Sequence, residues 1–276
     1  MKTATTLLTA TALGLCVLGL AALPAVAAEL SARQIMDNVN GRDDGDNRIA
    51  EMQMVLIDKN GDKRIRKIKT FDKDQITEQG EEDRRRIMFF LAPADVKDTG
   101  FLTYDFAVDE KDDDQWLFLP ALKKTKRIAT SDKSGSFMGS DFNYSDMTRR
   151  ELDAYDFKIL KEQDVRGHKT WLIEALPKTQ DQIDETGYKK SVLFVRQDNF
   201  IVVRAVHWTD VGNKLKYLDV PGLEQIDGVW TITSMTMTTK KNKVTEHKTE
   251  MTFSNVRYNQ DLDETLFTLR RLEKGL

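Results

Sequence analysis

From about residue 48 onward, apolar and polar side chains alternate with a period near two, and the alternation persists through most of the chain. Met52, Met54 and Leu56 share one face of a predicted strand that stops at Asn60-Gly61, a strong hairpin signal. Ile87, Phe89 and Leu91 repeat the spacing up to Pro93, and Trp171 and Ile173 mark another strand. "SVLFVRQDNFIVVRAVHW" reads as two strands turning at Asp198-Asn199, and "LKYLDV" leads to a further pair around Asp227-Gly228. In "HKTEMTFSNV", Met251 and Phe253 stand opposite Lys248, Glu250, Thr252 and Ser254, which gives a sheet with one dry and one wet face. About eleven strands at hairpin spacing predict an antiparallel sheet that curls on itself, because wide flat sheets are uncommon.

Helical periodicity is confined to short pieces. Ser31 and Gln34 form an S-x-x-Q capping box, Leu30 and Ile35 flank it as a hydrophobic staple, and Ile35, Met36 and Val39 fall on one face before Asn40-Gly41. A second short helix is expected near residues 263–267, and the stretch 129–155 is irregular. The class is α+β, mainly β.

The first 28 residues, "MKTATTLLTATALGLCVLGLAALPAVAA", have the layout of an export signal: Lys2, an apolar run from Leu13 to Leu23, and the small-residue pattern Ala25-Val26-Ala27. Cleavage near Ala27/Ala28 removes Cys16, the chain's one cysteine, and leaves residues 29–276 as a single domain in the periplasm without disulfides. Leu15 before Cys16 speaks against lipidation, which wants a small residue there. The formal charge is −3 from 42 Lys+Arg and 45 Asp+Glu, interspersed along the chain, which argues against a nucleic-acid footprint.

A search for catalytic or metal-binding chemistry finds no convincing cluster. His168, His207 and His247 each stand alone, and His247 alternates like an ordinary strand residue. In "SGSFMGS" the serine falls one place early for a nucleophile elbow, so its glycines read as bends. A calcium loop built on Gly45 would place Arg42 among the ligands, against that reading of Asp43, Asp44 and Asp46. Asp112-Asp113-Asp114 reads as a solvated turn. No catalytic residue, metal or cofactor is assigned. What does stand out is methionine in predicted strands, at Met52, Met54, Met88, Met235, Met237 and Met251. Either these pack an ordinary core or they form the deformable wall of a cavity.

The stretch "WLFLPALKKTKRIATSDKSGSFMGSDFNYSDM", Trp116 to Met147, resembles the hallmark of the bacterial outer membrane lipoprotein-sorting protein family, and "LDETLFTLRRLEKG" resembles its C-terminal pattern. These proteins are similar in fold to the lipoprotein carriers LolA and LolB. The resemblance implies an unclosed antiparallel β-barrel whose concave face is plugged by helices and a loop, around an apolar cavity for acyl chains. It also implies a periplasmic lipid or lipoprotein carrier that exchanges cargo with an inner-membrane transporter of the resistance-nodulation-division (RND) type and touches the membrane transiently.

On this reading Phe137, Met138, Phe142, Tyr144 and Met147 form a lid or a plug. Trp116, Met52, Met54, Met235, Met237, Met251 and Phe253 join them at the cavity. Lys123, Lys124, Lys126 and Arg127 either meet anionic headgroups or a partner, or protect a solvated strand edge. Two other functions compete: a lipid or lipoprotein sensor that regulates a membrane partner, and an envelope-lipid hydrolase, for which the sequence shows no nucleophile and base.

Overall fold

Extended backbone turns N–H and C=O groups to both sides, and most connections here are short enough for neighbours in sequence to pair. The computed structural model describes residues 29–78, 80, 82–108 and 111–276. Of the unit Met1–Leu30 only Glu29 and Leu30 are described, both exposed, so the export signal lies outside the described residues. Ser31–Leu276 make up one unit.

Its strands are β1 (Asn47–Asp58), β2 (Lys63–Ile76), β3 (Glu82–Ala92), β4 (Gly100–Asp105), β5 (Asp114–Leu119) and β6 (Lys124–Arg127), followed by β7 (Tyr155–Val165) and β8 (His168–Pro177). After these come β9 (Tyr188–Arg196), β10 (Val202–Thr209), β11 (Lys214–Ile226), β12 (Val229–Lys241) and β13 (Val244–Tyr258). They form one antiparallel sheet of 13 strands in the order β6-β5-β4-β3-β2-β1-β13-β12-β11-β10-β9-β8-β7. The end strands β6 and β7 do not pair, so the barrel is unclosed.

Tight turns hold this meander in register. Arg166-Gly167, Asp227-Gly228 and Asn242-Lys243 each place two successive residues at positive φ, the two-residue hairpin geometry whose twist matches that of the strands. The sheet has 13 strands against the eleven or so expected, and β2 and β7 are among those the alternation did not mark. β2 turns Arg66, Thr70 and Asp72 inward beside Ile68, and the edge strand β7 is largely exposed, so neither shows a clean apolar face.

Strand alternation separates two faces. Met88, Phe90 and Phe101 belong to the inner cluster, while their neighbours Ile87, Phe89 and Leu102 pack outward under Phe267 and Leu272. Leu272 belongs to helix α3 (Leu269–Lys274); α1 is Ala32–Asn40 and α2 is Gln180–Thr186. The expected capping box is present: Gln34 N–H donates to Ser31 Oγ and Ser31 N–H to Gln34 Oε1. α1 lays Ile35 and Met36 on Ile173, Leu193, Val195 and Ala205. Leu218 touches both this cluster and the inner one, so α1 shares the concave side with the segment 128–154, which is built from 3-10 turns.

Candidate functional site

The concave wall starts with methionines in register. Met235 pairs with Met251 and Met251 with Met54, so three adjacent strands carry thioethers side by side; Met52 pairs with Phe253 one step along. Met54, Met237 and Met251 are buried in the inner cluster, and Met235 and Phe253 are partly buried against it. Unbranched thioethers fill irregular space and yield to different shapes.

Over this wall lies the segment 131–147. Phe137 is fully buried, edge-on to Phe101 at 5.0 Å and to Tyr144 at 5.6 Å between ring centres. Phe142 and Met147 join the same cluster, with Met138 and Tyr144 packed on it. Met138 and Gly139 take successive left-handed conformations, with φ of 50° and 74°. Gly135 acts differently from the expected bend: a Cβ there would stand 2.9 Å from the Asp132 carbonyl oxygen, so it permits a close backbone approach.

Buried polar groups fasten the segment to the sheet. Asp141, almost wholly buried, accepts from Thr249 Oγ1 at 2.7 Å and from Thr239, and lies 2.6 Å from His247 Nδ1. Lys216 Nζ donates to the Asp141 carbonyl and to Asn143 Oδ1, both at 2.6 Å, and burial pulls its pKa below the usual lysine range. Lys133 pairs with Glu185 of α2 at 2.6 Å; Gln115 Nε2 donates to the Tyr144 carbonyl at 2.9 Å, and Arg66 to that of Met138. Asn143 and Asp146 cap each other, as local turn capping predicts, and Tyr188 donates to Asp146 at 2.9 Å. Apart from the Asn143–Asp146 cap, these bonds join distant parts of the chain, which the sequence gives no means of pairing.

Three compartments that share lining residues lie at or beside the segment. One of about 370 Å³ lies between α1 and the sheet; Met36, Val39, Leu193, Leu218, Met235 and Met237 form the apolar part of its lining, and Asp113, Asp146, Arg149, Arg150 and Glu185 are among the charged part. A second, of about 220 Å³, is lined by Met52, Phe137, Phe142, Met147, Met251 and Phe253, together with Arg42, Arg48, Arg84 and Arg86. The third, of about 460 Å³, is a polar mouth lined by the 40–46 loop, Asp105, Asp113, Arg149 and Arg150. Ligand sites commonly measure about 300–1,000 Å³.

Electrostatics at this boundary is dense. Burial raises the pKa of Asp72, but Arg86, Arg48 and Arg84 outweigh it and hold the carboxyl well below the usual carboxylate range. Burial, with Asp105 nearby, pushes Asp113 up to about 6, so the triplet expected as a solvated turn has a buried centre. Asp44 of the excluded calcium loop is held by Arg84.

The sequence-derived candidates therefore divide. Met52, Met235, Met237, Met251, Phe253, Phe137, Phe142 and Met147 line the compartments, while Met54, Met138 and Tyr144 pack in the cluster behind them. Trp116 does not join them: it points outward, against Tyr104 at 5.0 Å in the cluster under α3, because its neighbour Leu117 takes the inward position. Lys123, Lys124, Lys126 and Arg127 are exposed at the edge strand β6, where Lys126 meets Asp132 at 3.1 Å and Arg127 meets Asp114.

The arginine set was missed because its members are scattered over the loop before β1, β1 and β3. A serine–histidine pair was missed too: Ser191 Oγ lies 2.8 Å from His207 Nδ1 across β9 and β10. Burial first, then Arg150 and Lys216, push His207 down to about 3, leaving it neutral. His207 borders the cavity of about 370 Å³, but Ser191 is buried and lines none of the three compartments, so the pair resembles a core hydrogen bond rather than a nucleophile and base.

This architecture has relatives. The chain is similar to a DUF1329 family protein from Desulfovibrio piger, at 30% identity over 87% of this chain and 97% of that one, with a TM-score of 0.78. It is similar to a domain from Vibrio parahaemolyticus named for outer membrane lipoprotein sorting, at 29% identity over 88% and 98% of the two chains, with a TM-score of 0.76. A LolA superfamily protein from Nitrosomonas europaea shares the fold at 16% identity, 88% and 100% coverage and a TM-score of 0.63. No curated protein matches the sequence. A family model with the description "uncharacterized protein" matches residues 82–274. The chain belongs to the DUF1329 family, within the LolA-like fold of outer membrane lipoprotein-sorting proteins.

Proposed function

We propose that this protein is a periplasmic carrier that shelters the acyl part of a lipid or lipoprotein on the concave face of its sheet. The observation that carries the reading is the compartment of about 370 Å³, walled by Met235, Met237, Leu218 and the apolar side of α1. An acyl chain of about sixteen carbons costs on the order of 12 kcal/mol to expose to water, at about 0.8 kcal/mol per methylene. A protein that crosses an aqueous compartment with such cargo needs an apolar hollow and no reactive group. Compliant thioethers suit release, because a rigid perfect fit would hold the cargo. The likeness to a domain named for lipoprotein sorting supports the same reading.

Within it, residues 131–147 serve as a fixed plug that divides the hollow, since Asp141, Asn143 and Lys133 tie the segment to the sheet and to α2. The exchange partner is an inner-membrane transporter of the RND type, as the family resemblance implies, and site-specific photocrosslinking from the Lys123–Lys124 edge tests that contact.

Native mass spectrometry of the protein purified from its own envelope tests the function itself. Co-purifying lipid or acylated protein, lost in Met235→Arg at unchanged fold, is the expected result. A ligand-free protein that also takes up no fluorescent acyl probe would exclude carriage.

A further inference from the structure

Four guanidinium groups border the compartment of about 220 Å³, and three of them are matched to carboxylates. Arg84 forks between Asp74 Oδ1 at 2.6 Å and Asp44 Oδ1 at 2.7 Å. Arg48 and Arg86 share Asp72, Arg48 at 3.1 Å, and Arg86 also donates to the Met147 carbonyl at 3.0 Å. Arg42 is different. Its ion-pair distance, to Asp44 Oδ2, is 3.7 Å, and Asp44 is already taken by Arg84. Its other polar contact among the described residues, the Trp230 carbonyl, lies at 3.5 Å, the outer limit of a hydrogen bond.

A guanidinium has five N–H donors, and a largely buried one is normally satisfied by planar, two-pronged acceptors. Arg42 is only 25% exposed, and burial lowers its pKa more than Asp44 raises it. Its place in the fold is as telling as its partners, because Arg42 lines all three compartments, together with Asp44, whose carboxyl Arg84 already holds. Arg150, which borders two of them, faces the Tyr155 ring at 4.6 Å. Three of the carboxylates that line the mouth are held by other guanidinium groups and do not compete strongly for Arg42: Asp105 by Arg149 at 3.0 Å, Asp44 and Asp74 by Arg84; Asp43, Asp46, Glu82, Asp113 and Glu151 line it as well.

We infer that Arg42 receives the anionic head, a carboxylate or a phosphate, of a single-tailed acyl amphiphile whose tail occupies the compartment of about 370 Å³ beside α1. The inference rests on the carrier reading and narrows it. A bidentate oxyanion completes the donor set that the protein leaves open, and the polar mouth leaves room for what the head is attached to. An uncharged acyl ester offers no such partner.

Binding of palmitate, palmitoyl lysophosphatidate and uncharged monopalmitoylglycerol to the wild type, Arg42→Gln and Arg42→Lys tests this by titration. The expected result is a loss of about tenfold or more for the preferred anionic ligand in Arg42→Gln, partial recovery in Arg42→Lys, and unchanged monopalmitoylglycerol binding. Whichever anionic ligand binds the wild type more tightly identifies the head as carboxylate or phosphate. Binding of the three ligands with no dependence on Arg42, or an equal loss for charged and uncharged ligands, would overturn the assignment of Arg42 and leave carriage standing. Failure of the wild type to bind any of the three would overturn both.

Discussion

Asp113 shows how a single side chain at the mouth of the hollow can be read in solution. Its carboxyl is buried near Asp105, so its folded pKa, about 6, lies above the ordinary value of 3.8. A carboxyl with a raised pKa favours folding while it is protonated, and that advantage is lost as pH rises from about 4 through about 6. Asp113→Asn keeps the neutral shape, including an acceptor for Phe106 N–H, now bonded at 2.9 Å. It should therefore raise stability by about 1–2 kcal/mol at pH 7.5 and leave it unchanged near pH 3.5, as read by urea denaturation at the two pH values. An equal effect at both would mean that Asp113 is not under this strain. Met235, at the meeting of two compartments, invites a different test. Met235→Trp should fill space and weaken binding of an acyl probe several-fold with little change in melting temperature. None of this environment could be read from the residues in order, because Asp113 sits in a triplet that looks solvated and Arg42 in a loop that looks like a turn.

At the scale of elements, the decisive one is the irregular segment between β6 and β7. Its composition announced that it was special, and its aromatic and methionine side chains do turn inward. Its attachment was illegible, because Asp141 finds Thr239, Thr249 and His247 about a hundred residues away, and no local pattern encodes such a meeting. Asp141→Ala should cost about 3 kcal/mol, since it strips several buried donors of one acceptor. It should also speed amide exchange in 131–147 more than in the strands. In the wild type those amides, including Phe137 bonded to the Phe142 carbonyl at 2.8 Å and Tyr144 to that of Gly135 at 3.0 Å, should exchange nearly as slowly as the sheet. Fast exchange there at full stability would mark a moving lid instead of a plug. Phe137→Asp should abolish folding, because it puts a carboxylate in place of a buried ring wedged between Phe101 and Tyr144.

The unit Ser31–Leu276 is a long antiparallel sheet curled around a hollow that its own side chains only partly fill. The period-two pattern and the hairpin signals at Asn60-Gly61 and Asp227-Gly228 made the sheet legible, and the capping box at Ser31 made α1 legible. What they left open was which inward positions meet a neighbour and which border space, because Met54 and Met235 look alike in sequence while one is sealed in the cluster and the other lines two compartments. The central claim is that this space is apolar and takes an acyl tail, and a chain-length series of saturated fatty acids, from about eight to about eighteen carbons, measures it directly. Affinity should rise by up to about fourfold per added methylene, at about 0.8 kcal/mol each, and level off once the hollow is full. An affinity indifferent to tail length across the whole series would contradict the account.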